Sequence, residues 1–262
     1  MVRESFKRNT EAERSVYALA YRVVLLNFAA ITTSTIMATN ALLDIWSGPH
    51  ATEVVEILRK EAEQVYEEHN GEWSKLALSK LIRLDSAIRE SSRVSGVGGT
   101  ALARKVKVDE GIVLPNRLWV PKGVTVGVSM DGIHFDESLY ERPTEFDPFR
   151  FSRAKEKLSE TSDKPRKNEG LVNTSAQWLP FSHGIHAWYV NLFLRARIGG
   201  AQFQFSPGRF FAANNIKMVL AHILLNYDIQ PFTHRPHNIS LGDISVVPVK
   251  AKMMVKPRER KA

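Results

Sequence analysis

Cysteine is missing altogether: none occurs among 262 residues. That excludes disulfides, thiolate zinc sites and a thiol nucleophile. A secretory leader is missing too. The opening MVRESFKRNTEAERS is charged and polar and has no apolar core, so no signal or anchor is expected. Nothing repeats internally. Net charge is +8, yet the basic residues are scattered and no nucleic-acid signature accompanies them, so no nucleic-acid partner is expected. Gly96-x-Gly98-x-x-Ala101 imitates a dinucleotide fingerprint but follows a helical pattern rather than a strand, which removes that reading. Long charge-free runs are scarce. Val23 to Leu43 is twenty-one residues without a charge, long enough to span a bilayer. Its Thr32, Thr33, Ser34, Thr35 and Thr39 weaken it as a lipid-facing span, and the reading is a helix buried all round.

What is present is an ordinary globular composition, 44% hydrophobic and 24% charged. Periodicity and breakers predict helices over 11–45, 52–68, 74–94 and 210–225. Leu76, Leu78, Leu81, Leu84 and Ile88 form the apolar positions of the third. Short β-like runs are predicted at 105–108, 112–113, 117–120, 125–129, 227–232, 244–247 and 251–255. Residues 153–170 carry ten charged side chains in eighteen and are expected to be a mobile loop. The fold class is mainly α with small β-sheets, an α+β chain, forming a single domain over 1–262.

Four elements carry the chemistry. Glu90 and Arg93 lie three apart on one helix face, where an ordinary surface ion pair is the bland alternative. Downstream, Arg142 to Phe151 reads RPTEFDPFRF and brings Arg150. A carboxylate between two guanidinium forks can accept bonds from both, which makes a buried charge cluster tolerable. Phe28 to Ser34 reads FAAITTS, for which a Thr-rich buried helix with hydroxyls bonded to its own backbone is the bland alternative. Finally, Phe181 to Ala187 reads FSHGIHA, and Pro207 onward reads PGRFFA. Nineteen residues, Trp188 to Ser206, separate the two. His183-x-x-His186 makes a poor metal pair on a glycine-containing loop, so no metal site is assigned.

Together these motifs resemble the cytochrome P450 family, the haem-thiolate monooxygenases, with the texture of fungal secondary-metabolism members. FSHGIHA and PGRFFA, joined through one Cys, would match the family's ligand signature F-x-x-G-x-H-x-C-x-G. The resemblance implies that Glu90, Arg93 and Arg150 form the family's Glu-Arg-Arg triad. It implies that Thr33 is the threonine that hydrogen-bonds iron-bound oxygen, with Thr32 at the usual acid position. It places Phe181, Gly184, His186, Gly208 and Arg209 at the haem (iron protoporphyrin), His186 holding a propionate. Residues 94–100 and the hairpin His237 to Pro248 would reach a small hydrophobic substrate. The implied partner is an NADPH-dependent flavoprotein reductase, and the implied location is the endoplasmic reticulum membrane. As the chain carries no anchor, a cytoplasmic or unstable product is expected.

The resemblance covers only the C-terminal half of the fold, from the central helix onward, so the chain is read as truncated. The insert has a further property. Trp188-Tyr189-Val190 can be encoded with an intron 5′ boundary, and Phe205-Ser206 with a 3′ boundary. Excision between them removes 54 bases in frame and leaves a Cys codon. Residues 188–206 are thus read as a retained intron, and the chain as written is expected to be an inactive monooxygenase. The alternative is a basic helical protein, membrane-peripheral or nucleic-acid-associated, without haem.

Overall fold

The computed structural model describes residues 15–153, 170–184 and 208–259. The charged stretch within 153–170 and the insert 188–206 lie outside them, as does His186.

Six helices and eight short strands follow one another in the described residues. They are α1 (Val16–Ile45), α2 (Ala51–Glu68), α3 (Lys75–Lys80), α4 (Ile82–Val94), β1 (Thr100–Lys105), β2 (Ile112–Val113), β3 (Trp119–Val120), β4 (Thr125–Ser129), α5 (Met130–His134), α6 (Gly208–Asn226), β5 (Tyr227–Ile229), β6 (Ile239–Leu241), β7 (Ile244–Val246) and β8 (Val255–Pro257). The class is mixed helix and small sheets. The strands pair antiparallel as β1–β4, β2–β3, β5–β8 and β6–β7, so every described sheet is a two-stranded ribbon.

The core is made by α1, α2, α4 and α6. Trp46, Leu58, Leu84, Ile88, Leu220 and Leu224 meet there with Trp178 and Phe181 from the segment after residue 170. Burying each such side chain contributes about 1.5–3 kcal/mol, enough to set the packing of short helices that would not form alone.

Three expectations are corrected. The first concerns Val23 to Leu43 of α1, read as buried all round. Only its C-terminal end is: Ile36, Met37, Ala41 and Leu43 are buried, whereas Val24 and Ile31 stand more than half exposed. α1 is the one helix among the described residues long and apolar enough to cross a membrane, by length and composition only. Its exposed apolar flank begins at Ser15, whose hydroxyl caps it by accepting from the Ala18 N–H at 3.2 Å.

The second concerns residues 74–94, read as one helix. They form two, α3 and α4, broken at Leu81 (φ −72°, ψ 75°). No glycine or proline marks the break. Leu81 cannot cap a helix with its own side chain, and the cap comes from α2 instead. Glu61 accepts the N–H groups of Arg83 at 2.7 Å and Leu84 at 2.9 Å, two of the four orphan donors at the start of α4. Burial pushes the Glu61 carboxyl up from its ordinary pKa, and those N–H groups oppose the rise. The kink leaves Leu81 fully buried and Leu76, expected on the apolar face, 64% exposed. Glu61→Ala should cost about 1–2 kcal/mol, the worth of a lost cap, with Glu61→Gln retaining part of it. Urea unfolding of the two variants checks this, and equal losses from both would rule out the cap.

The third concerns strands. The ladder β1 occupies 100–105, ahead of the run expected at 105–108, and pairs with β4 across an irregularity between Ala101 and Arg104. β6 and β7 form the hairpin expected over 237–248, α5 had no prediction, and the last strand lies at 255–257 rather than 251–255. The α5 turn and the three-residue last strand are too short for periodicity to register.

Candidate functional site

Between Leu84 and Arg93 every residue of α4 is buried, including Asp85, Arg89, Glu90 and Arg93. Charges taken from water must be paired, and here they are. Glu90 is fully enclosed. Its Oε1 accepts from Arg93 Nη2 at 2.7 Å and from Arg150 Nε at 2.9 Å, and its Oε2 from Arg93 Nε at 2.9 Å. The Asp147 N–H adds a bond at 3.2 Å. Arg93 spends its remaining donors on the carbonyls of His134 and of Pro143 (2.7 Å), and its guanidinium lies 4.8 Å from the Tyr140 ring centre. Arg150 donates to the Glu141 carbonyl at 2.6 Å. One carboxylate therefore ties α4 to the whole 134–151 segment.

His134 closes the far side of this cluster. It is 1% exposed and accepts the Leu179 N–H at Nε2, 3.1 Å away. Burial, with the Arg93 charge beside it, lowers its pKa to about 4. An unfolded histidine titrates near 6.5, so below that pH the unfolded chain takes up a proton that the folded chain refuses. Stability is therefore full above about pH 6.5 and falls toward pH 4, by about 3 kcal/mol for this group. Denaturant midpoints from pH 7 to 4.5, compared with His134→Gln, check it: the variant should lose less as pH drops, and parallel curves would refute the assignment.

Leu179 begins the stretch that leads to the ligand signature. Trp178, Leu179 and Phe181 are buried, with Phe181 edge-on to Trp178 at 5.5 Å between ring centres. The chain then turns through left-handed conformations at Ser182 (φ 60°) and Gly184 (φ 80°), where a glycine is favoured. His183 faces Thr174, with Oγ1 and Nδ1 3.0 Å apart. On the other side of the insert, Gly208 opens α6 and the Arg209 guanidinium lies 4.8 Å from the Phe210 ring centre. Arg209 Nε is buried and finds no hydrogen-bond partner among the described residues. His186 falls outside the described residues. Thr32 and Thr33 are half-buried on α1, about two turns before Asn40.

A second buried cluster had no prediction. Asp44, 3% exposed, ion-pairs with Arg235 and accepts from the hydroxyls of Ser91 (2.5 Å) and Ser95 (3.0 Å). Asn40 accepts from Arg235 at 2.8 Å and donates to the Ser95 carbonyl at 2.6 Å. Burial pushes the Asp44 carboxyl up, and the Arg235 charge and the serine bonds pull against it. A lone Asp closing a charge-free apolar run was the available signal. Its effect is to hold the segment before the β6–β7 hairpin against α1 and α4. The hairpin then bridges Gly98 to Ile244, and the Gly99 N–H donates to the Asp243 carbonyl at 3.2 Å. A Cβ on Gly98 would stand 3.0 Å from that carbonyl, so the glycine pattern permits close approach of the hairpin. Between the 94–99 turn, α5 and the hairpin lies a cleft of about 460 Å³.

The α4 cluster fastens the 134–151 segment and, through His134, the stretch at Leu179, and comparison with known proteins gives the family. The family profile described as Cytochrome P450 matches residues 3–187. Cytochrome P450 monooxygenase gloP of Glarea lozoyensis is 33% identical over 267 residues, covering 99% of this chain and 46% of that protein. Cytochrome P450 monooxygenase polB of Polytolypa hystricis is 33% identical over 97% of this chain, and cytochrome P450 monooxygenase 71 of Postia placenta is 35% identical over 91% of it. The chain belongs to the cytochrome P450 family. It spans about half the length of the curated relatives it matches.

Proposed function

We propose that this chain is the part of a haem-thiolate monooxygenase that runs from the oxygen-binding helix onward, with its ligand loop interrupted by a retained intron. The observation that carries the reading is the enclosed Glu90 carboxylate shared by Arg93 and Arg150, beside the loop that opens at Phe181. The whole enzyme would oxidise a small hydrophobic secondary metabolite with haem and O2, at the endoplasmic reticulum membrane, with electrons from an NADPH-dependent flavoprotein reductase. In that enzyme Thr33 and Thr32 would stand at the oxygen, and Phe181, Gly184, His186, Gly208 and Arg209 at the haem.

The residues of this chain do not fit a thiolate-ligated haem. It has no cysteine, and among the described residues no group of three His, Asp or Glu side chains could hold a metal. Haem would supply the oxygen chemistry of a haem-thiolate enzyme only if the chain provided a thiolate, and no side chain of this sequence does. The chain as written is therefore read as inactive, and the spliced product as the carrier of the ligand. That the family match ends at residue 187, immediately before Trp188, supports an insert starting there.

The test is amplification from cDNA across codons 187–207. The expected product lacks 54 bases and encodes Cys between Ala187 and Pro207. A transcript population that uniformly keeps the insert would sink the intron.

A further inference from the structure

We infer that Arg89 is a positioning residue: it holds the segment from Gly170 to Phe181 in place, independently of the Glu90 cluster next to it. Neighbouring positions on a helix point about 100° apart. Glu90 faces the 134–151 segment, and Arg89 faces the stretch that feeds the ligand loop. The Arg89 side chain donates through Nη1 to the carbonyl of Gly170 at 2.6 Å and to that of Asn173 at 3.0 Å. Its guanidinium carbon lies 4.1 Å from the centre of the Trp178 ring and 4.6 Å from that of Phe151. The Trp178 indole N–H returns a bond to the Arg89 backbone carbonyl at 3.3 Å. Arg89 is 4% exposed, so the cation sits between two aromatic faces away from water, where such contacts are strongest.

The arrangement fastens both ends of a loop. Gly170 and Asn173 are held at its start. Trp178, held near its end, sets Phe181 through their edge-on contact. Phe151 joins the sandwich from the element that carries Arg150, so the two anchors share a support yet use different atoms. Only a planar guanidinium can stack between two rings while its edge bridges two carbonyls; an ammonium has the charge without the plane. That this segment presents a haem-ligand loop rests on the function proposed above. That Arg89 holds the segment does not.

The experiment is hydrogen exchange by mass spectrometry on the full chain without haem, for the natural protein, Arg89→Lys and Arg89→Met, with the Trp178 indole N–H followed by NMR. Exchange in peptides within 171–182 should rise at least about tenfold in Arg89→Met and less in Arg89→Lys, the scale of losing one desolvated cation–π contact. Peptides of α2 should stay unchanged. The indole resonance should move in both variants. A uniform rise that includes α2, or unchanged exchange in 171–182, would overturn the assignment. If Arg89→Met does not fold, Phe151→Leu, which removes one ring and keeps the cation, decides by the same criteria. A separate haemin titration separates the two readings. If it shows no binding by any spliced form while 171–182 loosens in the variants, the haem reading fails and Arg89's role stands. If haem binds and 171–182 is unmoved, the reverse holds.

Discussion

Replacing Glu90 with alanine should destabilise the chain by about 3–5 kcal/mol, the usual cost of stranding buried charge by removing its partner. Arg93 has no exposed side-chain surface and Arg150 little, and both lose their carboxylate in this variant. Arg93 would retain the carbonyls of His134 and Pro143 and the ring of Tyr140, which offset part of the charge but supply no counter-ion. Native domains hold only about 5–15 kcal/mol in total, so the loss should leave a measurable unfolded fraction in buffer. Arg150→Met should cost less, because its side chain reaches solvent and Glu90 keeps Arg93. Denaturant unfolding of both variants and the double variant gives the coupling. A Glu90→Ala loss under about 1 kcal/mol would place the cluster among ordinary surface pairs and remove it as the anchor of the site.

The unaltered chain, reduced and treated with carbon monoxide in the presence of haem, should show no thiolate-type Soret band. No cysteine exists to supply the ligand, and Ser206, nearest the expected position, offers a hydroxyl that is not ionised near neutrality. On the proposed reading, the nineteen residues Trp188 to Ser206 also separate Ala187 from Pro207, so the position expected to hold a propionate and the one expected to hold the iron ligand no longer lie two residues apart in one short loop. Replacing Trp188 to Ser206 with one Cys should restore the ligand. Binding should nevertheless be weak, because Val16 to Ile31 of α1 presents an uncovered apolar flank where a buried cofactor needs a closed wall. A clear thiolate-type band from the unaltered chain would overturn the account of the insert. Absence of any haem band from the Cys-restored chain at high haem would count against its site residues.

The sequence by itself determined the family motifs, the helical character of four regions and the pairing chemistry of Glu90, Arg93 and Arg150. These were legible because each rests on local spacing or on charge complementarity: an i,i+3 pair on one face, an arginine two residues after a proline, and glycines on either side of an interrupted signature. Tertiary structure alone decided the rest. The break at Leu81 depends on a carboxylate from another helix, and no residue near the break announces it. The neutral state of His134 depends on burial against Leu179, forty-five residues away. Arg89 meets Phe151 and Trp178 only when three segments come together, and nothing in its own neighbourhood distinguishes it from a solvated arginine. The exposure of α1 reverses a local expectation for the same reason: an apolar run states that a face wants cover, while the presence of that cover is a property of what packs against it.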